Sequence, residues 1–144
     1  EVGQGMGPES LKALLQLPLE AIEFGAYGGT NFSRLEIIRN SQSRAALQES
    51  LATVGHNAEE MVQIVNNAVK ENLTIRTKHL IISGGIASFL DGYYLTGISH
   101  LPAVYGQASA FLQYAREGLD PLRAYTKAQT EGLRMAASYL RIKK

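Results

Sequence analysis

Hydrophobic positions along the chain switch between helical spacing and short continuous runs, and glycine follows most of the runs. Pro8-Glu9-Ser10 precede Leu11, Leu14 and Leu15, apolar positions three and four apart that predict a short helix with proline near its start. Pro18 ends it. Residues 19–24 (LEAIEF) predict a strand stopped by Gly25, and residues 26–33 a glycine-rich loop. Between 34 and 56 the pattern is mixed. Leu35, Ile38, Leu47 and Leu51 permit helix, Asn40-Ser41-Gln42-Ser43 weakens its middle, and a mobile or partly helical insertion is expected.

From Asn57 the pattern is regular again. Asn57 with Glu60 three residues on is a capping box, and Met61, Ile64, Val65, Ala68 and Val69 recur at helical spacing through Glu71. Residues 79–83 (HLIIS) form a continuous apolar run, the kind buried on both faces of a parallel sheet, and Gly84-Gly85 stops it. A short helix over 89–96, broken by Gly97, leads to a strand over 102–105 stopped by Gly106. Helices over 108–116 and 121–140 complete the chain. The repeating unit is strand, glycine stop, helix, which implies right-handed crossovers and a parallel α/β sheet. Three such strands, with a truncated one at Glu1-Val2-Gly3, amount to about half of an eight-stranded (β/α) barrel. The 144 residues are read as one half-barrel unit, expected to be cut from a longer protein.

Composition narrows the function more than the fold. With 45% hydrophobic residues the chain has enough apolar content for a packed core. Fourteen basic against 13 acidic residues leave a net charge of +1, and the densest basic cluster is the terminal Arg141, Lys143 and Lys144. Nucleic acid is therefore not an expected partner. Cysteine is absent, which removes disulfides, thiolate metal sites and a thiol nucleophile. No apolar run reaches about 18 residues and no leader pattern is present, so a cytoplasmic location without membrane association is expected.

The candidate chemistry lies at the strand ends. Gly28-Gly29, Gly84-Gly85 and Gly106 follow three successive strands, and in a barrel those ends share one rim. Without a Cβ, backbone N–H groups can close on a phosphate, and a helix start behind them adds about half a positive charge. Glycine also stops strands in any α/β protein, but three such ends in register favour the phosphate reading. Thr30 and Asn31 directly follow Gly29, where they could meet a cofactor's polar atoms or merely stabilise a turn. Gly3-Gln4-Gly5-Met6-Gly7-Pro8 fails the dinucleotide spacing, because Pro8 falls where the third glycine belongs. His56, His79 and His100 have no second ligand at metal spacing, and no paired carboxylates or Ser-His-Asp set appears. Tyr93, Tyr94, Tyr114, Tyr125 and Tyr139 read as packing at helical spacing.

Glu1-Val2-Gly3, Gly25-Ala26-Tyr27-Gly28-Gly29-Thr30-Asn31-Phe32-Ser33 and Ser83-Gly84-Gly85-Ile86 together resemble type 2 isopentenyl diphosphate isomerase over nearly the whole chain. The resemblance implies the C-terminal half of an FMN-dependent (β/α)8 TIM barrel, related in fold to the α-hydroxy-acid oxidases. It implies that Thr30 and Asn31 meet the flavin after the sixth strand. Gly84, Gly85 and Ile86 would surround the FMN phosphate after the seventh, and Gln107 and Ala108 would complete the cradle after the eighth. This sequence has Ala87 where family members often place Arg, which would shift the phosphate charge onto backbone N–H groups. Val54-Gly55-His56-Asn57 stands in place of the family's Trp-Gly-hydrophobic-Pro lead-in.

The same resemblance implies a small-molecule diphosphate substrate, Mg2+ on that diphosphate, NADPH as the reductant of the flavin, and a homo-oligomer. The diphosphate-binding, metal-binding and proton-handling residues of the family belong to its N-terminal half, so no catalytic and no metal-ligating residue is assigned in this chain. The 144 residues alone are expected to hold part of a cofactor site and to be inactive. Two other readings remain: a fragment of an FMN-dependent α-hydroxy-acid oxidase or dehydrogenase, and a non-catalytic phosphate-binding half-barrel. The oxidases resemble one another in a catalytic His within a Ser-Asn-His-Gly-Gly type motif. Ala26-Tyr27-Gly28-Gly29 has no His there, which argues against the first.

Overall fold

A computed structural model describes residues 3–39 and 49–143. Within them the chain runs α1 (Pro8–Leu15), β1 (Ala21–Glu23), α2 (Phe32–Arg39), α3 (Ala58–Lys70), β2 (His79–Ile82), α4 (Phe89–Ile98), β3 (Ala103–Tyr105), α5 (Ser109–Glu117) and α6 (Leu119–Tyr139). Glu1, Val2, the expected break at Asn40 to Ser43, Leu47 and Lys144 lie outside the described residues.

The strands form one parallel sheet in the order β1-β2-β3, so each helical connection returns the chain beside the strand it has just left. Ile22 pairs with Leu80 and Leu80 with Ala103, and the pairing outlasts the strands themselves. Ala26 N–H donates to Ser83 O at 2.9 Å, and Gly106 N–H to Ile82 O at 2.8 Å. This is the α/β arrangement that strand-and-helix alternation predicts.

Side chains alternate across the sheet, and its two faces differ. Ile22, Leu80 and Ile82 are buried on one face with Leu11, Leu15, Met61 and Val65 from α1 and α3, each burial stabilising by about 1.5–3 kcal/mol. The opposite face carries Glu23, Ile81 and Val104 in register, with Ile81 half-buried and Val104 61% exposed. Burial of HLIIS on both faces is therefore not found: no described element covers the second face.

Local signals explain most helix ends. Proline opens α1, and the carbonyl of Leu15 accepts from Arg76 and Thr77 N–H at 2.9 and 3.1 Å, which ties α1 to the start of β2. The capping box of α3 is formed: Asn57 Oδ1 accepts from Glu60 N–H and Glu60 Oε2 from Asn57 N–H, both at 2.9 Å. By contrast α4 does not break at Gly97 but continues to Ile98. A Cβ at Gly97 would lie 1.9 Å from Ile142 Cδ1, so that glycine admits a neighbouring side chain rather than ending the helix. The actual stop is Asn66 on α3, whose amide donates to Ile98 O and accepts from His100 N–H, both at 2.8 Å. In the expected insertion, α2 forms but buries none of its residues.

Candidate functional site

The glycine ends of β1 and β2 meet each other before they meet anything else. Gly28, Gly84 and Gly85 have φ of +107°, +90° and +72°, backbone that a side chain rarely adopts. A Cβ on Gly29 would lie 2.9 Å from Gly84 Cα, and one on Gly84 would lie 2.1 Å from Ala26 O. Gly25 N–H donates to Ser83 Oγ at 3.0 Å and closes the same seam. The first demand on these glycines is thus backbone-to-backbone packing of two turns. Gly106 differs: a Cβ there would make only an ordinary 3.5 Å contact with Ser83.

The turn after β2 leaves donors open. No described residue accepts from the N–H groups of Gly84, Gly85 or Ile86, while the Ile86 side chain is buried in the core. At residue 87 the situation reverses. Asp91 Oδ2 accepts from Ala87 N–H at 3.1 Å, Ser88 N–H at 2.8 Å and Ser88 Oγ at 3.1 Å, which closes the start of α4 with a carboxylate. The turn after β3 approaches through Gln107, whose Nε2 donates to Ala87 O at 2.6 Å; Gln107 Oε1 is buried without a partner. Behind it α5 starts at Ala108 with no side-chain cap. Gly84, Gly85, Ile86, Gln107 and Ala108 are thereby gathered into one region at the ends of β2 and β3.

Thr30 and Asn31 stand apart from that region. Asn31 is committed locally: its Oδ1 accepts from Arg34 N–H at 2.9 Å at the start of α2, and its Nδ2 donates to Ala52 O at 2.5 Å. Thr30 is exposed, its hydroxyl engages no described residue, and its carbonyl lies so close to Gly3 that a Cβ there would come within 2.4 Å.

On the α3 side the glycine turn borders a cleft of about 190 Å³ lined by Tyr27, Glu59, Gly84, Gly85, Asp91 and Tyr94. Tyr94 OH donates to Glu59 Oε1 at 2.8 Å, and this bond to a carboxylate raises the phenol above its usual range. Two carboxylates make this side unfavourable to an anion. A second groove, of about 470 Å³, adjoins it along His56, Glu60, Gln63 and Ile64. The glycine turn thus borders carboxylates on the α3 side and the uncapped start of α5 on the β3 side, and the latter is the more favourable surrounding for an anion.

The donor set fits a phosphate ester. It combines N–H groups on positive-φ glycine, where no Cβ stands in the way, with an uncapped helix start carrying a partial positive charge. FMN carries such a group. Among the described residues no group of three or more His, Asp and Glu side chains could hold a metal ion. No described helix is long and apolar enough to cross a membrane.

Asp91 and Ser88 are missed when glycines alone are followed, yet the Ser88-x-x-Asp91 spacing marks a helix start in the sequence. The Gln107–Ala87 bond has no such local mark.

No protein-family profile matches the chain. Three curated proteins named isopentenyl-diphosphate delta-isomerase are similar to it. That of Ignicoccus hospitalis is 32% identical over 130 residues, covering 89% of this chain and 34% of the relative. That of Bacillus pumilus is 28% identical over 106 residues, covering 69% and 29%. That of Bacillus licheniformis is 28% identical over 102 residues, covering 66% and 29%. The chain thus spans 29–34% of the length of the curated relatives it matches.

Proposed function

We propose that this chain is the cofactor-holding C-terminal part of an FMN-dependent, type 2 isopentenyl-diphosphate isomerase, and that its two strand-end turns hold the flavin phosphate. The observation that carries this reading is the joined pair of turns: open N–H groups at Gly84, Gly85 and Ile86, tied through Gln107 to the uncapped start of α5. Support also comes from the names of the three relatives and from a sequential parallel sheet with one uncovered face, as half of a (β/α) barrel would present.

In this reading Gly84, Gly85, Ile86 and Ala108 bind the phosphate end of FMN, Gln107 orients that cradle through Ala87, and the Thr30 hydroxyl meets the cofactor's polar ring or ribityl atoms. Asn31 contributes by fixing the loop rather than by contact, since both ends of its amide are engaged. Reduced FMN, when bound, supplies acid–base chemistry for moving a double bond within a diphosphate substrate. Mg2+ on that diphosphate and NADPH as reductant belong to the same proposal, their contacts coming from residues this chain does not contain. The absence of His beside Gly28-Gly29 favours isomerase over an α-hydroxy-acid oxidase.

The test is a fluorescence titration of the chain with FMN and with riboflavin. Quenching by FMN at least about tenfold tighter than by riboflavin is expected, because a charged phosphate–N–H network supplies on the order of 1.4 kcal/mol or more. Equal affinities would remove the phosphate site, and no quenching by either would remove the flavin.

A further inference from the structure

The peptide at Ala87 is held from both sides, and nothing about a strand-end turn requires that. Its N–H is taken by Asp91 Oδ2 at 3.1 Å and its carbonyl by Gln107 Nε2 at 2.6 Å. The second bond spans twenty residues of sequence and joins two different strand-to-helix turns. The Gln107 amide orientation is fixed by this bond, because the reverse orientation would set Oε1 against the Ala87 oxygen. The consequence is an uncompensated one: Oε1 stays buried without a partner. A solvated surface glutamine would avoid both constraints.

We infer that Gln107 is a positioning residue. It contacts the Ala87 carbonyl rather than the phosphate, and so locks the Gly84–Gly85–Ile86 donors in register with the start of α5. Gly84 and Gly85 have positive φ, and the three N–H groups are held by no other described residue, so hydrogen bonding within the turn does not fix these donors. Asp91 anchors residue 87 to α4, and Gln107 anchors it to the β3 turn. Donors from two separate elements then converge before any ligand arrives, which lowers the ordering cost of binding. The functional part of this inference rests on the flavin-phosphate reading; the locking itself does not.

Two measurements on the 144-residue chain separate them. Gln107→Glu keeps the side-chain volume but cannot donate to Ala87 O, and Gln107→Leu removes both polar atoms. Amide hydrogen exchange without ligand should be about tenfold faster at Ala87 and Ser88, whose N–H groups are bonded to Asp91, in both variants, with α3 unchanged. The FMN dissociation constant should rise about tenfold while that of riboflavin stays fixed. Unaltered exchange at Ala87 and Ser88 overturns the lock, whatever flavin does. Faster exchange with unchanged FMN affinity overturns the positioning role. Faster exchange in a chain that binds no FMN even as wild type supports the lock and refutes the flavin-phosphate reading. Exchange that rises equally in α3 shows a general loss of stability and also overturns the assignment.

Discussion

Two helices start at the same rim and receive the chain in opposite ways. At α4 the start is closed: Asp91 accepts from Ala87 and Ser88 N–H, and Ser88 completes a capping box. At α5 the start is open: Ala108 offers no side-chain cap. Both follow strand-end turns of one parallel sheet, so fold alone does not separate them. What separates them is one carboxylate. A helix start neutralised by its own Asp has its charge spent internally, while an uncapped one keeps it for a ligand. In the proposed reading an anion is met by the open N–H groups of the β2 turn together with the uncapped start of α5, and not by the closed start of α4.

The largest effect is expected from opening the seam between the β1 and β2 turns, on which the open donors rest. Gly84→Val places a Cβ near Ala26 O at a φ of +90°, and should cost about 3 kcal/mol or more in urea denaturation. A loss below about 1 kcal/mol would show that the turns separate freely. Ala108→Asp closes the open start. It should weaken FMN by about tenfold, on the order of 1.4 kcal/mol, while raising fold stability by some tenths of a kcal/mol; unchanged affinity would place the anion elsewhere. Asp91→Asn sharpens the contrast from the other side, since it keeps an acceptor for Ala87 and Ser88 but removes the charge. Stability should fall by about 0.5–1 kcal/mol and FMN affinity should rise a few-fold. A fall in affinity would mean that the carboxylate does not oppose the ligand.

The smallest effect is expected at the far end of the strands, which serves as the control. Lys78 Nζ lies 2.8 Å from Glu20 Oε2, and hydrogen bonding and charge from Lys78 hold that carboxyl below the usual carboxylate range. A depressed carboxyl contributes stability above its unfolded pKa and loses it as pH falls through the lower folded value. Glu20→Gln should therefore flatten the acid limb of the stability profile slightly, without moving FMN affinity. An altered affinity would mean that the rim senses the whole sheet.

Features written in neighbouring residues were legible in the sequence. The Asn57–Glu60 capping box, the proline start of α1 and the apolar run of β2 all depend on residues within one turn or one strand. Features set by distant partners were not. Gly97 reads as a helix breaker, yet it makes room for Ile142, and the stop is supplied by Asn66 from another helix. The glycine pairs read as ligand contacts, whereas Gly29 and Gly84 are first required by each other. Asn31 reads equally well as a ligand contact or a turn residue, and its partners Arg34 and Ala52 engage both ends of its amide. Burial of Ile81 and Val104 could not be judged from their apolar character, because that depends on which elements lie over them.

The contact between the two glycine turns has a consequence for how such a sequence can change over generations. Gly29 and Gly84 leave no room for a Cβ between them, and the Ala26 backbone crowds Gly84 from the same side, although these positions are far apart in sequence. Neither turn can drift alone, since a side chain admitted at one must be answered by backbone movement at the other. The pairs should therefore be inherited as a unit, changing together or not at all.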